Sequence, residues 1–130
     1  MDYSAISEYN TYRNMKELKI VYSKHFPWRG YIAITLLRWC IVRESAKERF
    51  TCETYTHESI HYAQERELWY IGFYILYALF FLWELRCFSW HHAYRNIAFE
   101  REAYAHQGDR DYLANRKKFA WVKEKRHWNA

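Results

Sequence analysis

The sequence predicts one α+β domain that is mostly helical and carries a small β-hairpin or sheet ahead of its longest helix. One proline and three glycines among 130 residues impose few breaks on the chain, which favours long helices. Two short runs rich in β-branched and aromatic residues, at 31–37 and 38–43, are typical of strands. The length suits a single core, and the 51% of hydrophobic residues argues against disorder.

The first third of the chain is predicted to lead into these strands. Residues 1–18 are polar, and we expect a short helix or an ordered arm there. The segment 25–30 predicts a turn, because Pro27 disfavours helix at the residue before it and Gly30 permits a tight bend. After the strands, the polar residues 44–52 predict a loop.

A long helix is expected to begin near Thr54 or Thr56, with Thr56 as a plausible N-cap, and to run to Phe88. Its part Leu68–Trp83 has 16 residues without a charge. As a helix this part would be about 24 Å long, shorter than the roughly 30 Å hydrocarbon core of a bilayer. We therefore expect first a buried helix, second an interfacial or oligomer-facing helix, and only third a transmembrane span.

The last third of the chain is predicted to contain two more helices. Residues 89–92 are expected to turn the chain back, and Asn96 can cap a helix that reaches about Gln107. Asp109 or Asp111 can then start a final helix that carries the C-terminal tail.

This tail is basic and aromatic. The chain has a formal net charge of +5, and basic residues gather at 116–118 and 123–126, interleaved with Phe119, Trp121 and Trp128. A solvated amphipathic helix is the simplest interpretation, and contact with an anionic membrane surface is another. Nucleic acid is not an expected partner, because no nucleic-acid-binding motif accompanies the basic residues.

The cysteines and the N-terminus indicate a cytoplasmic protein, which could associate with the inner membrane surface. The three cysteines, Cys40, Cys52 and Cys87, form no CxxC pair and no even-numbered disulfide framework, so we expect reduced thiols. The first residues show neither the basic nor the apolar region of a secretory signal.

The chemistry is expected at the sequence His57-Glu58-Ser59-Ile60-His61, an HExxH motif. Two histidines four residues apart share one helix face, with Cβ atoms about 5–6 Å apart, which suits two ligands of one zinc ion. Glu58 lies one step round the helix. It is placed to take a proton from a water at the metal and to return it to a leaving amine.

The third metal ligand must come from another segment. The extended motif HExxHxxGxxH would need glycine at 64 and histidine at 67, where this chain has Gln64 and Glu67. The segment 99–104 offers two carboxylates, Glu100 and Glu102, and the spacing alone leaves both open. Gln64 is one further turn along the metal face from His61 and is a candidate hydrogen-bond partner for the site.

These residues resemble the gluzincin metallopeptidases, in which a glutamate on a second helix completes a His-His-Glu zinc site. The sequence Glu100-Arg101-Glu102-Ala103 has the register of that glutamate, and the chain is similar to small single-domain bacterial members. The resemblance implies a zincin-like domain over 1–130, with His57, His61 and Glu100 as zinc ligands and Glu58 as general base. Many members have aspartate four residues after the ligand glutamate, where it orients a ligand histidine, whereas this chain has Tyr104.

Two functions follow as hypotheses. The first is a zinc-dependent peptidase with a peptide or protein substrate, in which Tyr94, Tyr104 or His106 could stabilise an oxyanion and the strand at 34–36 could pair with an extended peptide. The second is a metal-stabilised protein without enzymatic activity, which binds a membrane surface, a protein partner or a second copy of itself through Leu68–Trp83 and the basic tail.

Overall fold

A computed structural model describes residues 18–126 and has the predicted α+β architecture, mostly helical with a small sheet first. The strands are β1 (Lys19–Ser23), β2 (Ala33–Leu36) and β3 (Trp39–Arg43). The helices are α1 (Cys52–Glu67), α2 (Ile71–Leu85), α3 (Trp90–Asn96), α4 (Ala98–His106) and α5 (Tyr112–Asn115), and two 3₁₀ helices span Glu44–Arg49 and Ala120–Lys123.

The three-stranded sheet has the order β1-β3-β2. The predicted hairpin is confirmed, since β2 and β3 are antiparallel and Leu36 pairs with Trp39. The strand β1 was not predicted; it pairs in parallel with β3, a long-range contact that leaves no local signal. The predicted loop at 44–52 contains the first 3₁₀ helix, and the arm predicted for residues 1–18 lies outside the described residues except for Leu18.

The helix that carries the HExxH motif begins earlier than predicted. Thr51 is extended and is the N-cap, and its hydroxyl accepts a hydrogen bond from the amide of Thr54. The expected cap, Thr56, is instead buried inside α1, where its hydroxyl donates to the carbonyl of Cys52. The earlier start places the whole motif within regular helix.

The predicted single helix from Thr56 to Phe88 is wrong, because the chain bends by 111° between α1 and α2. Trp69 and Tyr70 both have positive φ, at 58° and 62°, although neither is glycine. Long-range bonds fix this elbow: the hydroxyl of Tyr74 donates to Glu65 and accepts from the amide of Leu37 at the hairpin tip. Such contacts override local helix propensity.

The expectation that Leu68–Trp83 is buried is also wrong for one of its faces. On α2, Phe73 and Glu84 are buried, but Ile71, Ile75 and Leu79 are each more than half exposed. Within residues 18–126, no single helix is long and apolar enough to cross a membrane; the bent pair α1 and α2 together meets that test by length and composition.

The C-terminal third differs from the prediction at both of its helices. Asn96 ends α3 instead of capping a long helix, and its buried amide donates to Glu84 of α2. The turn expected at residues 89–92 is largely the start of α3, with Ser89 at its N-cap position. No long final helix occurs among the described residues, which have only α5 and the second 3₁₀ helix there.

The basic segment predicted as a tail is part of the domain. The side chain of Arg116 is buried and forms ion pairs with Glu67 and Glu102, both at 2.5 Å. Trp121 packs edge-on against Phe99. Buried charges of this kind require close partners, so the segment is held in place by its own basic residue. Trp128 lies outside the described residues.

Glu65 at the elbow makes the stability of the protein dependent on pH. Burial raises its pKa to about 8, although the Tyr74 hydroxyl acts in the opposite direction. Because this value lies above the ordinary 4.5, the folded protein keeps a proton that the unfolded chain has released. The stability from that proton is complete below the unfolded value and is lost as the pH rises through about 8.

We predict that Glu65→Gln, which is neutral at every pH, gains about 2–5 °C in Tm relative to wild type when the pH is raised from 5 to 9. Differential scanning fluorimetry at both pH values measures this change. Glu48→Gln, at an exposed position, is the matched control and should show no such gain. If the Tm difference between Glu65→Gln and wild type were the same at both pH values, Glu65 would be ionised in the folded protein at both.

Candidate metal centre

Three side chains converge between α1 and α4. The Nε2 atoms of His57 and His61 lie 3.1 Å apart. A carboxylate oxygen of Glu100 lies 3.1 Å from Nε2 of His57, and the other lies 2.9 Å from Nε2 of His61. All three residues are buried, and their donor atoms are close enough together to hold one metal ion.

The positions of these residues follow from their helices. His57 and His61 are one turn apart on α1, so their rings stack edge to face on the side that meets α4. Glu100 is in the first turn of α4. Gln64 joins the two helices, because its amide nitrogen donates to the carbonyl of Phe99 at 3.0 Å, next to Glu100.

Each imidazole is oriented by an amide oxygen at its second nitrogen. Nδ1 of His61 lies 2.8 Å from Oε1 of Gln64, and Nδ1 of His57 lies 2.8 Å from Oε1 of Gln107. Because an amide oxygen only accepts hydrogen bonds, Nδ1 carries the proton in both rings. Each Nε2 then points into the cluster, where it can bind a metal ion once it carries no proton of its own.

Gln107 occupies the role for which the resemblance implied an aspartate. That aspartate would stand four residues after Glu100, where this chain has Tyr104; Gln107 follows three residues later, near the same helix face. The ring of Tyr104 packs on His57, with centroids 4.5 Å apart, and Arg95 lies over the Tyr104 ring at 3.7 Å. The orienting group is therefore present but neutral.

The choice between Glu100 and Glu102 is decided by their contacts. Glu102 is fully buried but belongs to a separate hydrogen-bond network. It accepts hydrogen bonds from Gln64 at 2.9 Å and from Tyr112 at 2.6 Å. It also pairs with Arg116. Glu102 thus supports the residue that orients His61 and does not join the donor cluster.

The electrostatics of the cluster require a positive charge. Burial alone would raise the pKa of Glu100, but the charge of His61 and hydrogen bonds from both imidazoles hold it well below the usual range. Burial alone would lower the pKa of His61, but Glu100 raises it to about 10. The three donor atoms lie about 3 Å apart and therefore need a shared cation, which can be a proton or a metal ion.

Glu58 lies beside this cluster and is held by the sheet. Its carboxylate accepts a hydrogen bond from the hydroxyl of Thr35 on β2 at 2.7 Å. Burial raises the pKa of Glu58, while the two histidines and Thr35 act in the opposite direction. The contact with Thr35 was not predicted, and it joins the predicted base to an edge strand of the sheet.

Three tyrosines lie close to the donor cluster. Burial and the negative charge of Glu100 raise the pKa of Tyr94 well above its ordinary value, so its phenol stays protonated. The hydroxyls of Tyr94 and Tyr104 lie 3.5 Å apart. Tyr77, which the sequence did not single out, donates to Glu100 at 2.9 Å.

His106 does not lie with the predicted site. It stacks flat on Tyr112, with centroids 3.9 Å apart, and binds Glu124 at 2.6 Å. Its ring face and its Nε2 are both engaged in contacts with the C-terminal segment, so no described contact joins it to the donor cluster, and its oxyanion role stays a prediction. Gln107, one residue further, is the residue that reaches the cluster.

No family model, curated protein or solved structure matches this chain. The likeness to gluzincins therefore rests on the HExxH motif and the register of Glu100. What the site does has to be inferred from the chemistry of its own residues.

We predict that Gln107→Leu and Gln64→Leu each weaken metal binding about 10- to 100-fold, with zinc as the test metal, because each removes the acceptor that orients a candidate ligand imidazole. Competition with a chromophoric chelator measures the affinity. His106→Gln is the control, since it changes the adjacent residue without touching the cluster, and it should bind zinc as wild type does. Unchanged affinity in Gln107→Leu would mean that His57 needs no orienting partner.

Proposed function

We propose that the protein is a zinc-dependent hydrolase of peptide bonds. The observation that carries the proposal is the position of Glu58. This buried carboxylate lies beside two imidazoles and the carboxylate of Glu100, and it is held by a strand with an open edge. A purely structural metal site would need the three donors but would not need this additional buried acid.

The donor set suits a catalytic zinc. Two imidazole nitrogens and one carboxylate oxygen form a three-residue set that leaves a fourth position for a substrate or water, whereas structural zinc sites have four protein ligands. His57, His61 and Glu100 would hold the ion, and both imidazoles are already oriented with Nε2 towards the cluster. A bound zinc ion would polarise a carbonyl and lower the pKa of water.

Glu58 would move the proton in this reaction. One of its oxygens accepts from Thr35 at 2.7 Å, which fixes the carboxylate while leaving capacity for a second partner. Glu58 takes one proton from the attacking water as the water oxygen bonds to the carbonyl carbon. It returns that proton to the nitrogen as the C–N bond breaks, which leaves a carboxylic acid and an amine.

The outer edge of β2 would bind the peptide. The carbonyl of Ile32 accepts from the amide of Arg43, so the backbone groups of Ala33 and Thr35, one residue out of phase, point away from β3. No described strand pairs with that edge. An extended substrate paired there would run beside Thr35, and therefore beside Glu58.

Tyr94 and Tyr104 would donate hydrogen bonds to the developing oxyanion. Burial raises the pKa of both phenols, so both keep their protons at neutral pH. Tyr104 lies against His57 and Tyr94 adjoins it through their hydroxyls. These contacts place two phenols on the His57 side of the cluster.

We predict that Glu58→Gln retains stoichiometric zinc but loses about 10²–10⁴-fold in peptidase activity, because the amide cannot accept the proton. Metal content by mass spectrometry and cleavage of casein and of a peptide library measure the two properties. Glu48→Gln is an exposed control that should keep both. Zinc-loaded wild type without cleavage of any such substrate would favour a metal-stabilised protein without enzymatic activity.

We predict that Thr35→Val lowers kcat about 10- to 100-fold without loss of zinc, since it removes a hydrogen bond to a charged group. Thr35→Ser keeps the hydroxyl and should restore most of the rate. If the serine and valine variants were equally slow, Thr35 would act through packing and not by positioning Glu58.

A further inference from the structure

One face of α2 and of the elbow before it exposes large apolar side chains. We call the apolar face the set formed by Trp69, Ile71, Ile75, Leu79, Leu82 and Trp83, all of which are between 55% and 86% exposed. The residues 71, 75, 79 and 82 follow a helical spacing of four, four and three, so they form one stripe. Contiguous patches of this kind mark interaction surfaces.

The opposite face of α2 is anchored to the metal centre. Phe73 packs against Phe99, with ring centroids 4.7 Å apart, and Tyr77 donates to Glu100. At the end of the helix, Glu84 pairs with Arg126 and accepts from Asn96. These contacts fix the rotation of α2, so its apolar face cannot turn inward without opening the site.

The charges around the apolar face suit an anionic partner. The acidic residues nearest in sequence, Glu65, Glu67 and Glu84, are all turned inward to tyrosine or arginine partners. Arg86 is exposed directly after α2, where it stacks on Trp83 at 3.6 Å. The face therefore presents apolar groups with a cation at one end, in a chain whose net charge is +5.

Tryptophans lie at both ends of the stripe. Trp69 is the most exposed of them, at 86%, and stands at the elbow with a positive φ. Trp83 lies at the other end of α2 and is 60% exposed, and Trp90, which begins α3 and packs on Phe81, is 64% exposed. Indole rings favour the region where lipid headgroups meet acyl chains, because one part of the ring is apolar and the N–H is polar.

We propose that the apolar face docks the protein on an anionic lipid bilayer, with α2 lying in the plane of the interface. The helix has 15 residues and is therefore about 22 Å long, too short to span a hydrocarbon core of roughly 30 Å. A second copy of the chain is the weaker occupant, because the apolar face carries no exposed carboxylate for the Arg86 of a partner. The proposal is independent of the peptidase reaction.

The test is flotation of the zinc-loaded, full-length protein with phosphatidylcholine vesicles containing about 30 mol% phosphatidylglycerol, at low and at high salt. We expect wild type to float with these vesicles at low salt, and less with pure phosphatidylcholine. The double variant Ile75→Ser, Leu79→Ser should bind at least about tenfold more weakly, because it removes apolar surface that would enter the bilayer. Val21→Ser, an exposed apolar position on β1, is the control and should float as wild type does.

Absence of wild-type flotation at low salt overturns the proposal, as does equal flotation of the double variant. Sedimentation velocity on the same samples distinguishes the other occupant. A wild-type dimer that the double variant dissociates, without vesicle binding, would assign the apolar face to a second copy. Zinc content and Tm establish that the variants are folded, and activity against a soluble peptide is measured separately, so failure of docking and failure of the peptidase proposal are distinguishable.

Discussion

The buried carboxylate of Glu100 is the interaction on which the rest of the structure depends. It is nearly excluded from solvent, so its negative charge has to be balanced by a cation held between it and two imidazoles. Its position also binds three helices together, because His57 and His61 lie on α1 and the Tyr77 hydroxyl comes from α2. Removal of that charge balance would leave unpaired polar groups in the middle of the domain.

A second layer of buried polar contacts links the C-terminal segment, through His61, to this carboxylate. Arg116 pairs with Glu102, Glu102 accepts from Gln64, and Gln64 orients His61. A chain of hydrogen bonds of this kind is favourable only when every member is satisfied. It explains why a basic segment that resembles a solvated tail is ordered, since its arginine completes a network that begins at a candidate metal ligand.

Local sequence patterns predicted the parts of the molecule that depend on local spacing. The HExxH motif required only a helix, and the hairpin at 33–43 required only short runs of strand-forming residues, so both could be predicted from the sequence. The parallel partner β1 and the elbow at Trp69 depend on contacts between residues far apart in sequence, such as that of Tyr74 with Leu37. Gln107 was missed because an amide has no distinctive motif, although it lies seven residues after Glu100 on a continuing helix face.

The helix α2 shows why composition alone was insufficient. Its residues are almost uniformly apolar, yet Phe73 and Tyr77 face the candidate metal centre while Ile75 and Leu79 face outward. The contacts of Phe73 and Tyr77 with the site therefore also keep the apolar face exposed to solvent. Since a helix is about 10 Å thick, a bilayer docked on that face would lie roughly one helix diameter from the donor cluster. Trp69 has a positive φ, a costly backbone conformation for a residue other than glycine. This conformation belongs to the elbow that sets the direction of α2.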